Sequence, residues 1–389
     1  MHIGINGYFW GQETVGSGQY LMRLLAELAH LSRENRYTLF VPHAATGVRA
    51  VDIPPGVHRV DIPFDWAREN LAKLWFEQVA IPCACRRAGV ELLHVPYFAP
   101  PLFGHLPAVI TIHDLIPLVL PAYRGDWRVR LYMRLVSQGA RRAAAILTDS
   151  HAARVDIERV LHLPAERVHV VYLAAGERYR PMMDQEAVQA WKRERGLPSD
   201  YVLYLGGFDQ RRNVQTLIGA FARFVRQHET AQAALPRLVL AGQLPAADTP
   251  FTPDPRRLAQ EAGIAAWVHF PGRIAEEDKP WLYNGASLFA FPSLYEGFGL
   301  PPLEAMACGV PVLAAAATSL PEIVGGGGIC LEPLAEEAWA NAMARLWFSP
   351  EERAMWRERA LLQAACFSWQ RTAAATLEVY QMAYHWQTP

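Results

Sequence analysis

The stretch SLYEGFGLPPLEAMACGVPV, residues 293–312, combines two carboxylates with residues that shape a loop and a helix start. Gly297 and Gly299 allow tight turns and close approach of a ligand, and the two prolines after them suit the first turn of a helix. A helix N-terminus offers free N–H groups to anions and polar oxygens, and carboxylates accept hydrogen bonds from sugar hydroxyls. We therefore predict a phosphate or sugar site with Glu296 in the loop and Glu304 in the helix. The alternative is that both carboxylates only cap the helix.

A basic pair occupies a similar position earlier in the chain, in the segment GGFDQRRNVQTLIGAF. Arg211 and Arg212 follow a predicted strand and a glycine turn, and they precede an apolar helix. Two guanidinium groups beside a helix start form an anion site. The alternative is a solvated surface pair, which contributes little.

A polar pair, His113 and Asp114, follows the apolar run VITI. Polar groups at the end of a buried strand need either a partner or a cleft. A capping aspartate with a backbone-bonded histidine is the alternative. Near the N-terminus, Gly16 and Gly18 are predicted to lie in a glycine-rich loop over residues 7–18, which lacks the third glycine of the dinucleotide-binding fingerprint.

The stretch that contains Glu296 and Glu304 resembles the donor-site signature of the retaining glycosyltransferases of family four, also called glycosyl transferases group 1, which have the GT-B fold. The resemblance implies that Glu296 faces the transferred sugar and that Glu304 binds the ribose of a nucleotide. It also implies that backbone N–H groups are supplied by the turn Gly297, Phe298, Gly299 and Leu300.

The same resemblance assigns roles to the other candidates. It implies that His113 reaches the transferred sugar and that the arginine pair binds a diphosphate. Arg273 and Ile274 are implied as contacts of the nucleobase, and the acceptor-side loop is implied to include Gly16, Gly18 and Asp114. The family commonly has Lys where this chain has Arg212, and many members have Arg at the position of Gly207, so the individual roles of Arg211 and Arg212 stay open.

Alternation of strands, glycine turns and amphipathic helices predicts doubly wound α/β domains. At 389 residues the chain suits two of them. We predict an N-terminal acceptor-side domain over residues 1–180, a nucleotide-sugar-binding domain over 181–368, and a C-terminal helix over 369–389. The GT-B resemblance implies that the domains face each other across a cleft that closes on the donor, and that this helix crosses back to the first domain.

Two further predictions concern local structure. Apolar periodicity predicts a helix over residues 66–87 with Leu71, Leu74, Trp75 and Val79 turned inward. The polar segment 176–198, which contains two prolines, is predicted to be the hinge.

Composition limits the classes of function. Apolar residues are 51% and the net charge is −1, which fits a globular protein and argues against general nucleic-acid binding. No long uncharged apolar run or secretory signal is expected, and the five cysteines are predicted to be reduced, mostly buried thiols of a cytoplasmic protein. The arginine-rich helix Arg128–Arg142 is either a solvated face or a peripheral contact with anionic lipid at the inner membrane face.

Together, the residues and the resemblance imply a hexosyltransferase. The expected reaction moves a hexose to a glycan or lipid-linked glycan, with retention through a same-face mechanism. The resemblance favours mannose from GDP-mannose and leaves other UDP- or GDP-linked sugars open as donors. Neither a cofactor nor a metal is expected, because the sequence has no DxD-like acidic cluster and arginines can carry the diphosphate charge. The alternatives are a nucleotide-sugar 2-epimerase and a non-catalytic binder of nucleotide sugars.

Overall fold

The computed structural model describes residues 1–12, 15–42, 53–63, 69–104, 106–229 and 234–385. The chain divides into two compact units, the first made of Met1–Leu173 with Ser368–Pro389 and the second of Ala174–Phe367. The division therefore falls before residue 174, whereas the sequence places it after residue 180. The segment predicted as a hinge belongs to the second unit and contains a ten-residue helix, Gln185–Glu194.

Each unit is built on one parallel sheet, and this confirms the predicted α/β fold class. The first sheet has the order β3-β2-β1-β4-β5-β6-β7 and the second has the order β10-β9-β8-β11-β12-β13. The strands of the first sheet are β1 (His2–Asn6), β2 (Arg36–Pro42), β3 (Val57–Ile62), β4 (Leu92–Val95), β5 (Ala108–Thr111), β6 (Ala145–Thr148) and β7 (Val168–Val170). Those of the second are β8 (Tyr201–Leu205), β9 (Arg237–Ala241), β10 (Val268–Gly272), β11 (Leu288–Phe291), β12 (Val312–Ala315) and β13 (Gly328–Leu331).

Helices connect these strands and cover the sheets. In chain order they are α1 (Gly16–Leu31), α2 (Glu69–Trp75), α3 (Ile81–Ala88), α4 (Ile116–Val119), α5 (Trp127–Arg142), α6 (His151–Leu161), α7 (Gln185–Glu194), α8 (Val214–His228), α9 (Pro255–Glu261), α10 (Lys279–Asn284), α11 (Leu300–Ala307), α12 (Leu320–Val324), α13 (Glu336–Phe348), α14 (Pro350–Ala364) and α15 (Trp369–Tyr384). Helix α15 belongs to the first unit and packs against α1.

Strand order reverses at one point in each sheet. This point lies between β1 and β4 in the first unit and between β8 and β11 in the second. Ligands of doubly wound sheets bind outside the carboxyl ends of the strands at such a point. The loops after these four strands are therefore where the strand order predicts a ligand-binding site.

Helix α1 starts earlier than the sequence predicts. Gly16 and Gly18 lie in its first turn and not in the preceding loop. A Cβ atom at Gly18 would lie 2.3 Å from the carbonyl oxygen of Gln12 and 2.8 Å from that of Phe9, so this position requires glycine. Gly16 has open space around it.

The predicted helix over residues 66–87 is interrupted by a π-helical turn at Phe76–Ala80. Its first residues, 66–68, lie outside the described part of the chain. The predicted inward face is wrong, because Leu71 and Val79 are each 47% exposed. Ala72, Phe76 and Ala80 are buried instead.

The π turn also carries a carboxylate into the core. Glu77 is buried and accepts hydrogen bonds from the hydroxyls of Tyr97 (3.1 Å) and Tyr132 (3.0 Å), while the Lys73 ammonium lies 3.7 Å away. Burial raises the pKa of Glu77 to about 7, against the opposing influence of Lys73 and the two hydroxyls.

Stability is expected to fall as pH rises from about 4.5 to about 7, because the folded protein keeps the Glu77 proton that the unfolded chain releases. The full effect amounts to roughly 3 kcal/mol. Glu77→Gln should remove this pH dependence. The free energy of unfolding in urea should therefore differ between variant and parent by an amount that changes across this pH range. Glu166→Gln, which alters an exposed carboxylate of the same unit, is the control. A constant difference for Glu77→Gln would contradict a raised pKa.

Candidate active site

The loops after β8 and β11 bring the predicted arginines and the first predicted glutamate together. The Nη1 atom of Arg212 donates to Oε1 of Glu296, and Nη1 of Arg211 lies 3.3 Å from the same oxygen. These three side chains are only 11–17% exposed. The cluster lies at the point where the strand order of the second sheet reverses.

Arg211 also contacts the backbone and a second carboxylate in this cluster. Its Nη1 donates to the Tyr295 carbonyl at 3.1 Å, and its Nε lies 3.3 Å from Oδ1 of Asp209. Arg212 instead lies over the ring of Phe291, 5.6 Å from the centroid. Two guanidiniums thus face two carboxylates, so an anionic ligand would compete with Glu296 for the positive charge.

The loop that holds Glu296 is fixed by the next turn of the chain. Ser319 Oγ donates to the carbonyls of Glu296 (3.0 Å) and Phe298 (2.6 Å), and Thr318 Oγ1 accepts from the Glu296 N–H at 3.0 Å. Gly299 caps α11 with a φ of 117°, a conformation that favours glycine. Leu300 begins α11, so the predicted loop-to-helix transition is present.

Glu304 lies inside the second unit and not on its surface. It is 6% exposed, and its Oε2 accepts a hydrogen bond from the Tyr283 hydroxyl at 2.9 Å. Burial raises its pKa, although Lys279 and Tyr283 oppose the shift. Arg273 is exposed and Ile274 half-buried directly after β10. Binding of ribose by Glu304 and of a base by the β10 turn stays a prediction.

His113 lies at the carboxyl end of β5 in the first unit. Its Nδ1 is 2.7 Å from Oδ2 of Asp149, which lies directly after β6 and is 3% exposed. The ring also packs edge-to-face on Tyr20, with centroids 4.9 Å apart. The His113 side chain keeps 23% of its surface accessible. Its Nε2 atom is buried and makes no hydrogen bond among the described residues.

The electrostatic environment of His113 favours its charged form. Desolvation alone would lower the pKa of the ring, but the charge and hydrogen bond of Asp149, together with Asp114 and the Pro96 backbone, outweigh it and raise the pKa. The neighbouring His94 is fully buried, and burial lowers its pKa to about 3, so it stays neutral.

Asp149 is a functional candidate that the sequence prediction missed. It precedes Ser150, whose hydroxyl accepts from the Ala153 N–H at 3.0 Å and caps α6. Attention to the neighbouring strand ends of β5 and β6 could have identified it. Asp114 lies just before α4, and its Oδ1 accepts from the Ile116 N–H at 3.0 Å.

Arg212→Ala is expected to weaken donor binding by about 10- to 100-fold, the equivalent of one lost charge-assisted hydrogen bond. Arg211→Ala should weaken binding less but lower thermal stability more, because Arg211 joins Asp209 to the backbone of Tyr295. Calorimetric titration with the nucleoside diphosphate and thermal unfolding measure the two effects. Equal and negligible losses of affinity would show that neither arginine binds the donor.

Three chain-wide features complete the description. All five cysteines are free thiols, but only Cys85 and Cys308 are buried, so the prediction of mostly buried thiols is wrong. Among the described residues, no three His, Cys, Asp or Glu side chains gather as a metal site. No helix in the described ranges is long and apolar enough to cross a membrane.

Comparison with known families gives two matches that cover most of the chain. Residues 187–363 match the family described as "Glycosyl transferases group 1", and residues 15–174 match "Glycosyltransferase Family 4". The first match contains the Arg–Glu cluster and Glu304, and the second contains His113 and Asp149.

Curated relatives agree with these families. The chain is 32% identical over 275 residues to the O-antigen chain mannosyltransferase B of Escherichia coli. This match covers 71% of this chain and 70% of the relative. It is 33% identical over 277 residues to the serotype-specific mannosyltransferase WbdA of Escherichia coli. That match covers 69% of this chain but only 33% of WbdA, so the chain spans about a third of that relative.

Solved structures show the same fold at lower identity. A sucrose-phosphate synthase from Thermosynechococcus elongatus has a TM-score of 0.75 and 20% identity, with 98% of both chains covered. The Anabaena HepE protein in complex with UDP has a TM-score of 0.70 and 18% identity, with 97% of this chain and 98% of that chain covered. The two parallel sheets share the order of six strands, and the chain matches both family domains. This chain therefore belongs to the group 1 glycosyltransferases of the GT-B fold.

Proposed function

We propose that the protein transfers mannose from GDP-mannose to a hydroxyl of a growing glycan or lipid-linked glycan, with retention of the anomeric configuration and without a metal. The observation that carries the proposal is the cluster of Arg211, Arg212 and Glu296 at the reversal point of the second sheet. It combines groups for a diphosphate with a carboxylate for a sugar. The similarity to an O-antigen chain mannosyltransferase supports mannose as the sugar.

Retention follows from a same-face reaction. The bond between the anomeric carbon and the donor phosphate breaks while the acceptor oxygen bonds to the same face of that carbon. The departing phosphate takes the proton of the acceptor hydroxyl. Glu296 and the guanidiniums stabilise the charges that develop on the sugar and the phosphate. His113, through Nε2, hydrogen-bonds a sugar oxygen.

Thermal stabilisation by a panel of nucleotide sugars tests the donor. Ligand at 100 times its dissociation constant should add about 2.7 kcal/mol to stability. GDP-mannose should stabilise more than UDP-glucose or UDP-GlcNAc, and transfer to a mannosyl acceptor should persist in EDTA. Stabilisation by UDP-sugars alone would overturn the choice of donor, and activity lost in EDTA and restored by a divalent cation would overturn metal independence.

The same samples separate this proposal from its alternatives. Conversion of a UDP-sugar to its 2-epimer without any acceptor would identify an epimerase. Donor binding without transfer to any of a broad panel of glycan acceptors would indicate a binder. An α-mannoside formed only when both substrates are present supports the transferase.

We also propose that the start of α5 contacts the anionic surface of the inner membrane, where a lipid-linked acceptor would be presented. Trp127 and Leu131 are 62% and 58% exposed. The exposed guanidiniums of Arg128, Arg130 and Arg134 make no ion pair within the described residues. Exposed apolar side chains among unpaired cations fit the boundary between headgroups and acyl chains.

Vesicle sedimentation tests this contact. The protein should bind phosphatidylglycerol vesicles more than phosphatidylcholine vesicles, and salt should weaken the binding. The double variant Arg128→Gln/Arg130→Gln should lose most of it, while Arg33→Gln, at an exposed position of the same unit, should not. Vesicle binding that is the same for both headgroups and is unchanged in the double variant would show that α5 is a solvated face.

A further inference from the structure

A chain of buried polar side chains connects helix α15 to the ring of His113. The Tyr380 hydroxyl lies 2.6 Å from Nδ1 of His94, whose Nε2 lies 2.9 Å from Oγ1 of Thr111. The Thr111 oxygen is also 3.0 Å from the hydroxyl of Tyr20. All four side chains are at most 3% exposed.

Tyr20 is the link between this network and the candidate site. Its hydroxyl is held by Thr111, and its ring packs edge-to-face on His113 at 4.9 Å. Trp369, the first residue of α15, also contacts this ring, with centroids 6.2 Å apart. Helix α15 therefore restrains Tyr20 both through Trp369 and through the hydrogen bonds that begin at Tyr380.

We infer that Tyr380, His94, Thr111 and Tyr20 form a positioning network through which helix α15 sets the orientation of His113. None of the four is required to touch a substrate. His113 is held from two sides, at Nδ1 by Asp149 and on its ring by Tyr20. A catalytic ring that is slightly misplaced loses rate much more than it loses affinity. This inference rests on the proposed role of His113.

The network also has a consistent arrangement of protons. Burial keeps His94 neutral, so only one of its ring nitrogens carries a proton. A Tyr380 hydroxyl that donates to Nδ1 leaves Nε2–H to donate to Thr111, and Thr111 can then bond to Tyr20. Removal of the Tyr380 or the Tyr20 hydroxyl leaves a buried polar atom of the network without its hydrogen-bond partner.

Thr111 allows a matched test. Thr111→Val keeps the shape and removes the hydroxyl, whereas Thr111→Ser keeps the hydroxyl. Thr111→Val and Tyr380→Phe should each lower kcat by about 10-fold or more with little change in KM for the donor. Thr111→Ser should stay near the parent. Tyr384→Phe, which removes the bond of a hydroxyl on the same helix to Glu91, should leave kcat unchanged.

A second measurement does not depend on activity. The pKa of His113, followed by NMR, should move down from its raised value in Thr111→Val and Tyr380→Phe, because a loosened ring bonds less well to Asp149. The charged groups that face this ring are Asp149 and Asp114, and both are retained in the variants.

The outcomes separate the inference from the proposed function. A shifted His113 titration supports the network even if the protein transfers no sugar. If folded Thr111→Val and Tyr380→Phe both titrate like the parent, the network does not position His113. Should Thr111→Val fail to fold, Tyr20→Phe opens the network at its other end, and an unchanged titration there would also overturn the inference.

Discussion

Glu296→Gln is expected to lower turnover by about 100-fold or more while the affinity for the donor changes little. Glutamine keeps the shape of the side chain and loses the negative charge. Since a carboxylate stabilises positive charge that develops mainly in the transition state, its removal should affect kcat far more than binding. Glutamine also removes the ion pair with Arg212, so any small change in donor affinity should be a gain, because the diphosphate no longer competes with a carboxylate for this guanidinium.

Single-turnover kinetics and donor titration measure the two effects separately. Glu332→Gln, an exposed carboxylate of the same unit, should behave like the parent. A β-linked product by NMR would be inconsistent with same-face transfer. A sugar trapped covalently on Glu296 would instead make this residue the nucleophile of a two-step reaction.

Asp149→Asn is expected to lower turnover by about 100-fold and to change its pH dependence. The carboxylate holds Nδ1 of His113 and raises the pKa of the ring. If the protonated ring donates from Nε2, activity is lost as pH rises through this pKa. Without the carboxylate the pKa falls, so the alkaline limb of kcat should move to lower pH.

The pH–rate profile checks this directly. Asp61→Asn removes an exposed carboxylate of the same unit that pairs with Arg59 and should leave the profile unchanged. An alkaline limb that stays in place in Asp149→Asn would assign it to another group. Unchanged turnover would show that Asp149 does not support His113.

Local patterns in the sequence were sufficient for most secondary structure. The apolar run before Glu296 forms β11 at Leu288–Phe291, and the last helix begins at Trp369 as predicted and runs to Tyr384. In both cases the apolar side chains that define the pattern are the ones that the unit buries. The order of β1, Gly-rich loop and α1 similarly indicated a doubly wound sheet.

The errors arose where structure depends on register or on distant residues. A π turn at Phe76–Ala80 interrupts a predicted helix without any local change in composition. Asp149 is 36 residues from His113, and only the pairing of β5 with β6 brings them together. The ion pair of Arg212 with Glu296 likewise joins residues 84 positions apart. Sequence motifs identified the candidates but not their partners.

The place of α15 in the first unit has a consequence for synthesis of the chain. During translation, residues 174–367 all leave the ribosome before Ser368, so the second unit is the first whose residues are completely available. The first unit cannot complete its fold until α15 is available. Until then, the surface of α1 and the His94 ring, which α15 contacts, stay uncovered. Exposed apolar surface of this kind promotes aggregation and chaperone binding. A nascent chain stalled when residues up to 367 have emerged, with the last helix still inside the ribosome, should therefore present a folded second unit and an incomplete first one.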